Sequence, residues 1–180
     1  MPAIFFVTQG QAYWFENRDG YIWAPNPSET VQDRFFWRNV ESVKVGDVII
    51  HYAGALNGGI SAISQATTNC FDSPITEDLR AVAKAGLPGV ADWVPTGRRV
   101  NCRYVNLQNK MSIKEFKSDI LRFKRDRYCA FNKNGGVCQG YLYELEEPIA
   151  RKFIKRAIEL NPYLKEHEFI TDMLKFLERT

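Results

Sequence analysis

Three of the four tryptophans, Trp23, Trp37 and Trp93, stand where apolar runs give way to Gly, Pro or Asn. An indole at such a junction can offer a ring face to a ligand. Gln9, Asn39 and Gln139 occupy similar junctions and carry amide donors and acceptors. Aromatic faces beside amides are the chemistry that holds an unpaired nucleobase: stacking contributes roughly 1–3 kcal/mol per base, and amides bond to the base edge. A methyl group on the base adds about 0.8 kcal/mol once buried. The same indoles would also serve as large core residues at strand ends, and composition alone leaves both readings open.

Residues suited to catalysis are sparse. The two histidines are His51, inside an apolar run, and His167, in a charged C-terminal segment. A lone strand histidine is more often structural than catalytic. There is no Gly-x-Ser-x-Gly elbow, no Gly-rich phosphate loop ending in Lys-Ser/Thr and no His-x-Glu zinc signature of the base deaminases. Asp72, Glu77 and Asp92 form no recognisable metal-nuclease pattern. The four cysteines, Cys70, Cys102, Cys129 and Cys138, include no Cys-x-x-Cys pair. No cofactor and no metal is expected. The opening residues do not make a signal sequence and no apolar run would span a bilayer, so a cytoplasmic protein with reduced thiols is expected, away from membranes.

Net charge is only +3 over 180 residues, but it is unevenly spread. Lys110, Lys114, Lys117, Arg122, Lys124, Arg125 and Arg127 face only Glu115, Asp119 and Asp126 in the same segment. A local basic face suits a phosphate backbone; a solvated helix surface would look the same. Lys117, Arg122, Lys124 and Arg125, with Arg98 and Arg99 at the head of the preceding strand, are the phosphate-binding candidates.

The elements that must position these residues follow from hydrophobic period and turn chemistry. Ile4 to Val7 reads as a buried strand ended by Gln9-Gly10-Gln11, followed by a long loop to Gly20. Tyr21 to Ala24 is a second strand, closed by Pro25. Val48 to Ala53 and Ile60 to Ala66 flank Asn57-Gly58-Gly59 and predict an antiparallel hairpin. Thr76-Glu77-Asp78 caps a helix to Gly86. Arg98 to Leu107 alternates as a strand. Ser112-x-x-Glu115 is a capping box, with Ile113, Phe116, Ile120 and Phe123 as the helix's apolar stripe. Val137 to Leu145 is the last expected strand. Pro148 opens a helix to Leu160, and a final helix covers Tyr163 to Glu178, with Tyr163, Phe169, Ile170, Met173, Leu174 and Leu177 along one side. Strands come first and helices last, which is an α+β pattern: a small mixed β-barrel flanked by helices, with a C-terminal helical extension. The expected division is a domain over 1–160 and a helix over 161–180 packed on it or on a partner.

Several segments together resemble the EVE-like domain of the PUA superfamily that accompanies McrB-type modification-dependent restriction proteins. They are Phe5-Phe6-Val7-Thr8-Gln9-Gly10, Tyr21-Ile22-Trp23-Ala24-Pro25, Phe36-Trp37-Arg38-Asn39-Val40, Val43-Lys44-Val45-Gly46-Asp47 running into His51-Tyr52, and Gly135-Gly136-Val137-Cys138-Gln139-Gly140-Tyr141-Leu142. The resemblance covers roughly residues 4–155. It implies a PUA-like barrel, distantly akin to YTH and ASCH domains, that flips a modified base into an aromatic pocket. It implies that Gln9 and Gly10 border that pocket, that Trp23, Trp37 and Trp93 wall it, and that Asn39, Tyr52 and Gln139 contribute to it. The expected partner is modified double-stranded DNA, with a nuclease or GTPase on another chain or domain. An RNA reader of YTH or EVE type is the second reading, and an enzyme acting on a nucleobase the third.

Overall fold

The computed structural model describes residues 2–28, 32–54, 58–86 and 95–179, the side chains of 83–86 excepted. Its core is a seven-stranded mixed sheet. The strands are β1 (Ile4–Gln9), β2 (Tyr21–Pro25), β3 (Val48–Ala53), β4 (Gly59–Ala66), β5 (Phe71–Pro74), β6 (Thr96–Ser112) and β7 (Leu142–Glu144), and the order is β2-β6-β4-β3-β1-β7 with β5 beside β6. The helices are α1 (Tyr13–Asp19), α2 (Phe35–Arg38), α3 (Glu77–Gly86), α4 (Lys117–Phe123), α5 (Glu147–Leu160) and α6 (Glu168–Arg179). The fold is α+β: a curled, open mixed sheet flanked by helices, extended at the C-terminus by α5 and α6.

The near-continuous apolar runs of β1 and β3 have a reason. These strands pair in parallel at the sheet centre, Ile4 opposite Val48 through Gln9 opposite Ala53, and a strand buried on both faces has no polar side to alternate. Phe5, Val7 and Ile49 face the concave interior with Ile22, Ala24, Val100 and Leu142. Ile4, Phe6, Val48 and Ile50 face outward into a larger apolar layer built with α5 and α6. The expected hairpin is present as antiparallel β3–β4, with a register shift between His51 and Tyr52; Asn57 of its turn lies outside the described residues.

β6 is longer than the expected strand, and its length curls the sheet. Thr96 to Asn101 pairs with β2 and β5, and Cys102 onward with β4. The two ends of the hydrogen-bonded path, β2 and β7, do not pair. Tyr141 spans that opening: its carbonyl accepts from Thr8 N at 2.8 Å and its hydroxyl from Trp23 N at 2.9 Å.

Three expectations about elements need correction. The stretch after Gly10 is not loop throughout but holds α1, closed by Gly20 at φ 70°, whose N–H bonds Glu16 O. The last strand is only Leu142–Glu144; Val137 makes an isolated bridge to Phe131, and the chain bends between them and β7. The final helix starts at Glu168 after a 3-10 turn over Pro162–Glu166. The capping box at Ser112 and Glu115 forms as expected, on a 3-10 turn leading into α4.

The C-terminal extension packs on the sheet. Leu164, Phe169, Ile170, Met173 and Leu177 belong to the same apolar cluster as Phe6 and Phe153. Buried Asn161 stitches the end of α5 to β6, donating to Asn109 O at 3.0 Å and accepting from Asn109 N at 2.8 Å. Among the described residues no helix is long and apolar enough to cross a membrane.

Candidate functional site

A cavity of about 590 Å³ opens where β1 ends, beside the gap between β2 and β7. The end of β1 contributes Gln9, Gly10 and Gln11; α1 contributes Ala12 and Glu16; β2 contributes Trp23 and Pro25. Arg34, Phe36 and Trp37 come from α2 and the residue before it, Ile75, Leu79 and Val82 from α3 and its approach, and Gln139, Gly140 and Tyr141 from the bend before β7. The size is that of small-molecule sites, which run roughly 300–1,000 Å³. The lining is mostly apolar and aromatic, with a few fixed polar groups.

Of the eight pocket residues expected from sequence, the structure brings Gln9, Gly10, Trp23, Trp37 and Gln139 to this one cavity. Tyr52 lines an adjoining depression of about 430 Å³ that shares Gln9, Gly10 and Gln139 with it. Asn39 is not in the lining; its side chain donates to Leu142 O at 2.9 Å and ties the turn after α2 to β7. Trp93 lies outside the described residues.

The two indoles have different standing. Trp23 points away from the concave interior, packs with Tyr21, Ile75 and Leu79, and is only 5% exposed. Its Nε1 donates to Ser73 O at 3.4 Å. Gly97 is required behind it, because a Cβ there would sit 2.3 Å from the ring. Trp37 is half-buried, edge-on to Phe36, with the Arg34 guanidinium 5.8 Å from its ring centre. Trp23 therefore forms a rigid wall, and Trp37 an accessible one with a cation beside it.

The polar end of the cavity is a fixed relay. Ser64 Oγ lies 2.7 Å from His51 Nε2, and His51 Nδ1 lies 2.9 Å from Gln9 Oε1. Gln9 Nε2 donates to Glu16 Oε2 at 2.6 Å. The carboxylate needs a donor, which turns the Gln9 amide nitrogen toward it and the oxygen toward the imidazole. With Glu16 ionised, His51 thus carries its proton on Nδ1 and accepts from Ser64 on Nε2. Burial pushes His51 down to about 3, so the ring is neutral. With both nitrogens engaged and the ring fully buried, His51 holds Ser64 and Gln9 in register.

Glu16 ends the relay. Its Oε1 accepts from Trp23 N at 2.9 Å and from the Tyr141 hydroxyl. It is 1% exposed, and burial lifts its pKa to about 7 against the lowering effect of the hydrogen bonds from Tyr141, Gln9 and Trp23. Sequence reasoning missed this residue, because a glutamate amid Tyr13, Trp14, Phe15 and Asn17 carries no motif. The one available signal was Gly20, a helix stop that makes Ala12, Tyr13 and Glu16 one helical face.

The phosphate candidates divide. Lys117 and Arg122 are exposed on α4 and Lys124 is half-buried at its end. Arg125 is exposed, near Glu144 and Glu146 at 3.6 and 3.5 Å. Arg99 lies over the Tyr21 ring at 4.2 Å and donates to Asn101 Oδ1 at 2.8 Å. Arg98 is a correction. It is 6% exposed, bonded to Glu41 at 2.5 Å, Asp33 at 3.1 Å and Pro25 O at 3.3 Å. Alternation along β6 turns it inward, where a guanidinium is tolerated only when paired; it anchors the α2 approach and presents nothing to a phosphate. Arg34, exposed at the cavity lining, is the cation that sequence reasoning overlooked.

Beyond the cavity, Tyr128 is 71% exposed in the basic segment, holds φ at 58° and sets its ring edge-on to Phe35 at 4.9 Å. The four cysteines are free thiols, and burial pushes Cys102 up to about 12. Among the described residues no group of three or more His, Cys, Asp and Glu is placed to hold a metal ion.

No family model matches the chain, and no curated protein matches it. Solved structures share its fold. A hypothetical protein from Leishmania major superposes with a TM-score of 0.54 at 12% identity, over 88% of this chain and 96% of its own. A Pseudomonas syringae protein gives 0.53 at 11% identity, over 86% and 99%. A Pseudomonas putida protein gives 0.52 at 11%, over 86% and 99%. The likeness is one of architecture along nearly the whole chain.

Proposed function

We propose that the protein is a nucleic-acid-binding module that reads a modified base, a methylated or hydroxymethylated cytosine or an N6-methyladenine, in DNA by taking it extruded into the cavity at the end of β1. It performs no chemistry on the base; cleavage falls to a nuclease or GTPase partner of a restriction or defence system, in the cytoplasm. The observation that carries this reading is the lining: the rings of Trp23, Phe36 and Trp37 stand in one cavity of nucleobase-accommodating size with the side chains of Gln9, Gln139 and Glu16. Flat apolar walls grip a base by its faces and its added methyl, and a few fixed polar groups read its edge. Arg34 at the wall, with the basic surface of α4, supplies charge for the backbone. The sequence resemblance to EVE-like domains points the same way.

Trp37→Ala tests it, because this ring is half-buried and its loss does not hollow the core. Removing one stacking face costs roughly 1–3 kcal/mol, about 5- to 150-fold in affinity. Titration of duplexes differing in one central base should show that loss for the modified duplex and a smaller one for the plain duplex. An unchanged ratio between the two contradicts the reading, and tighter binding to single-stranded RNA carrying the same modification moves it to the RNA class.

A further inference from the structure

We propose that Glu16 reads the edge of the seated base, so that the cavity takes bases bearing an exocyclic amine, of cytosine or adenine type, and rejects thymine and uracil. This rests on the base-reading function proposed above and names its substrate class.

Stacking walls and a methyl-sized recess cannot tell 5-methylcytosine from thymine. Both carry the 5-methyl group, and on their pairing edges they differ at position 4, amine against oxygen, and at position 3, bare nitrogen against N–H. Discrimination therefore needs a group of defined polarity at the edge, and Glu16, ionised above about pH 7, is such a group there. It lines the cavity while being 1% exposed. Its Oε1 is filled by two donors, Trp23 N and the Tyr141 hydroxyl. Its Oε2 receives one, from Gln9 Nε2 at 2.6 Å. A carboxylate oxygen has two acceptor sites, so Oε2 keeps one. With position 4 of the base set against Oε2, rather than position 3, an amine hydrogen fills that site and an oxo group meets it acceptor against acceptor.

The polarity is locked from behind. Gln9 cannot turn its amide over without setting its nitrogen against the His51 Nδ1 proton and its oxygen against the carboxylate. His51 is held in turn by Ser64 at 2.7 Å. Ser64, His51, Gln9 and Glu16 thus point all their donors one way along the relay, toward the cavity, and leave an acceptor there. Sites built to bond a particular polar group reject analogues lacking it far more strongly than apolar pockets reject a missing methyl.

The test uses the full chain at about pH 8.5, where Glu16 is ionised, and duplexes with one variable base opposite an abasic site, so that extrusion costs the same in each. The bases are 5-methylcytosine, N6-methyladenine, thymine and 5-methylpyrimidin-2-one, which is 5-methylcytosine without its amine. At least one of the two amino-bases should bind tenfold or more tighter than thymine, and 5-methylpyrimidin-2-one should fall with thymine. Glu16→Gln turns an amide nitrogen toward Gln9, reverses the relay and moves the His51 proton to Nε2, visible in the imidazole nitrogen shifts. The same change should abolish or invert the preference for amine over oxo. Equal binding of 5-methylcytosine and 5-methylpyrimidin-2-one, or an unaltered preference in a folded Glu16→Gln, overturns the proposal. Failure of the base-reading function itself looks different: no base distinguishes the duplexes, and Trp37→Ala changes nothing.

Discussion

Glu16 and His51 are two buried ionisable groups that burial pushes in opposite directions. Glu16 rises from 4.5 to about 7, so between those values the folded chain holds a proton the unfolded chain has released, and stability falls as pH rises. His51 falls from 6.5 to about 3, so the unfolded chain binds the extra proton, and stability rises with pH over that range. The two slopes oppose each other between about 4.5 and 6.5. Glu16→Gln changes which nitrogen carries the His51 proton but leaves the ring buried and neutral, so the histidine's pH dependence stands. The stability of the variant relative to the parent should therefore grow with pH from 4.5 to 7, by on the order of 3 kcal/mol in all. Urea unfolding at several pH values measures it, and a pH-independent difference would refute the burial argument. Arg98 and Lys117 make the second contrast. Losing Arg98 frees two partly exposed carboxylates that water can solvate, so Arg98→Ala should cost about 1–2 kcal/mol of stability and leave the salt dependence of DNA binding unchanged. Lys117→Ala should leave stability unchanged and lower the salt slope by about one. A lowered slope in Arg98→Ala would return that residue to the phosphate set.

The elements were legible where their burial follows a simple period. β1 and β3 show as near-continuous apolar runs because both of their faces are covered. α4 shows through its capping box and its Ile113, Phe116 and Ile120 stripe, all three buried. α1 was illegible for the converse reason: one of its two buried residues is a glutamate, whose burial depends on partners from β1, β2 and the bend before β7. No local pattern carries that information. The shortness of β7 was hidden in the same way, since Gly140 and Tyr141 belong to the cavity rather than to the sheet. α6 lies in the outer apolar layer and touches none of the cavity. Leu177→Ala should therefore cost roughly 2–5 kcal/mol of stability with base preference intact, read by thermal unfolding alongside duplex titration. A lost preference in the folded variant would mean that α6 does more than support the sheet.

At the scale of the molecule, an open sheet leaves a seam between β2 and β7, and this chain covers it with side chains rather than strand pairing. Tyr141, Glu16 and Trp23 bond across it, and α2 with the turn after it packs against both edges. The cavity is the part of the seam left unfilled. Trp23, Trp37, Gln9 and Gln139 could be named from sequence because they sit at junctions marked by Gly, Pro and Asn, whereas Phe36 and Tyr141, which line the same cavity, were not singled out. Its carboxyl and its cation, Glu16 and Arg34, could not, because their roles arise only when segments far apart in the chain converge. The most direct measurement is the affinity of the unaltered protein for a panel of duplexes identical except for one central base: cytosine, 5-methylcytosine, 5-hydroxymethylcytosine, adenine and N6-methyladenine. One modified base should bind at least tenfold tighter than its unmodified parent. Equal affinity across the panel would contradict the account.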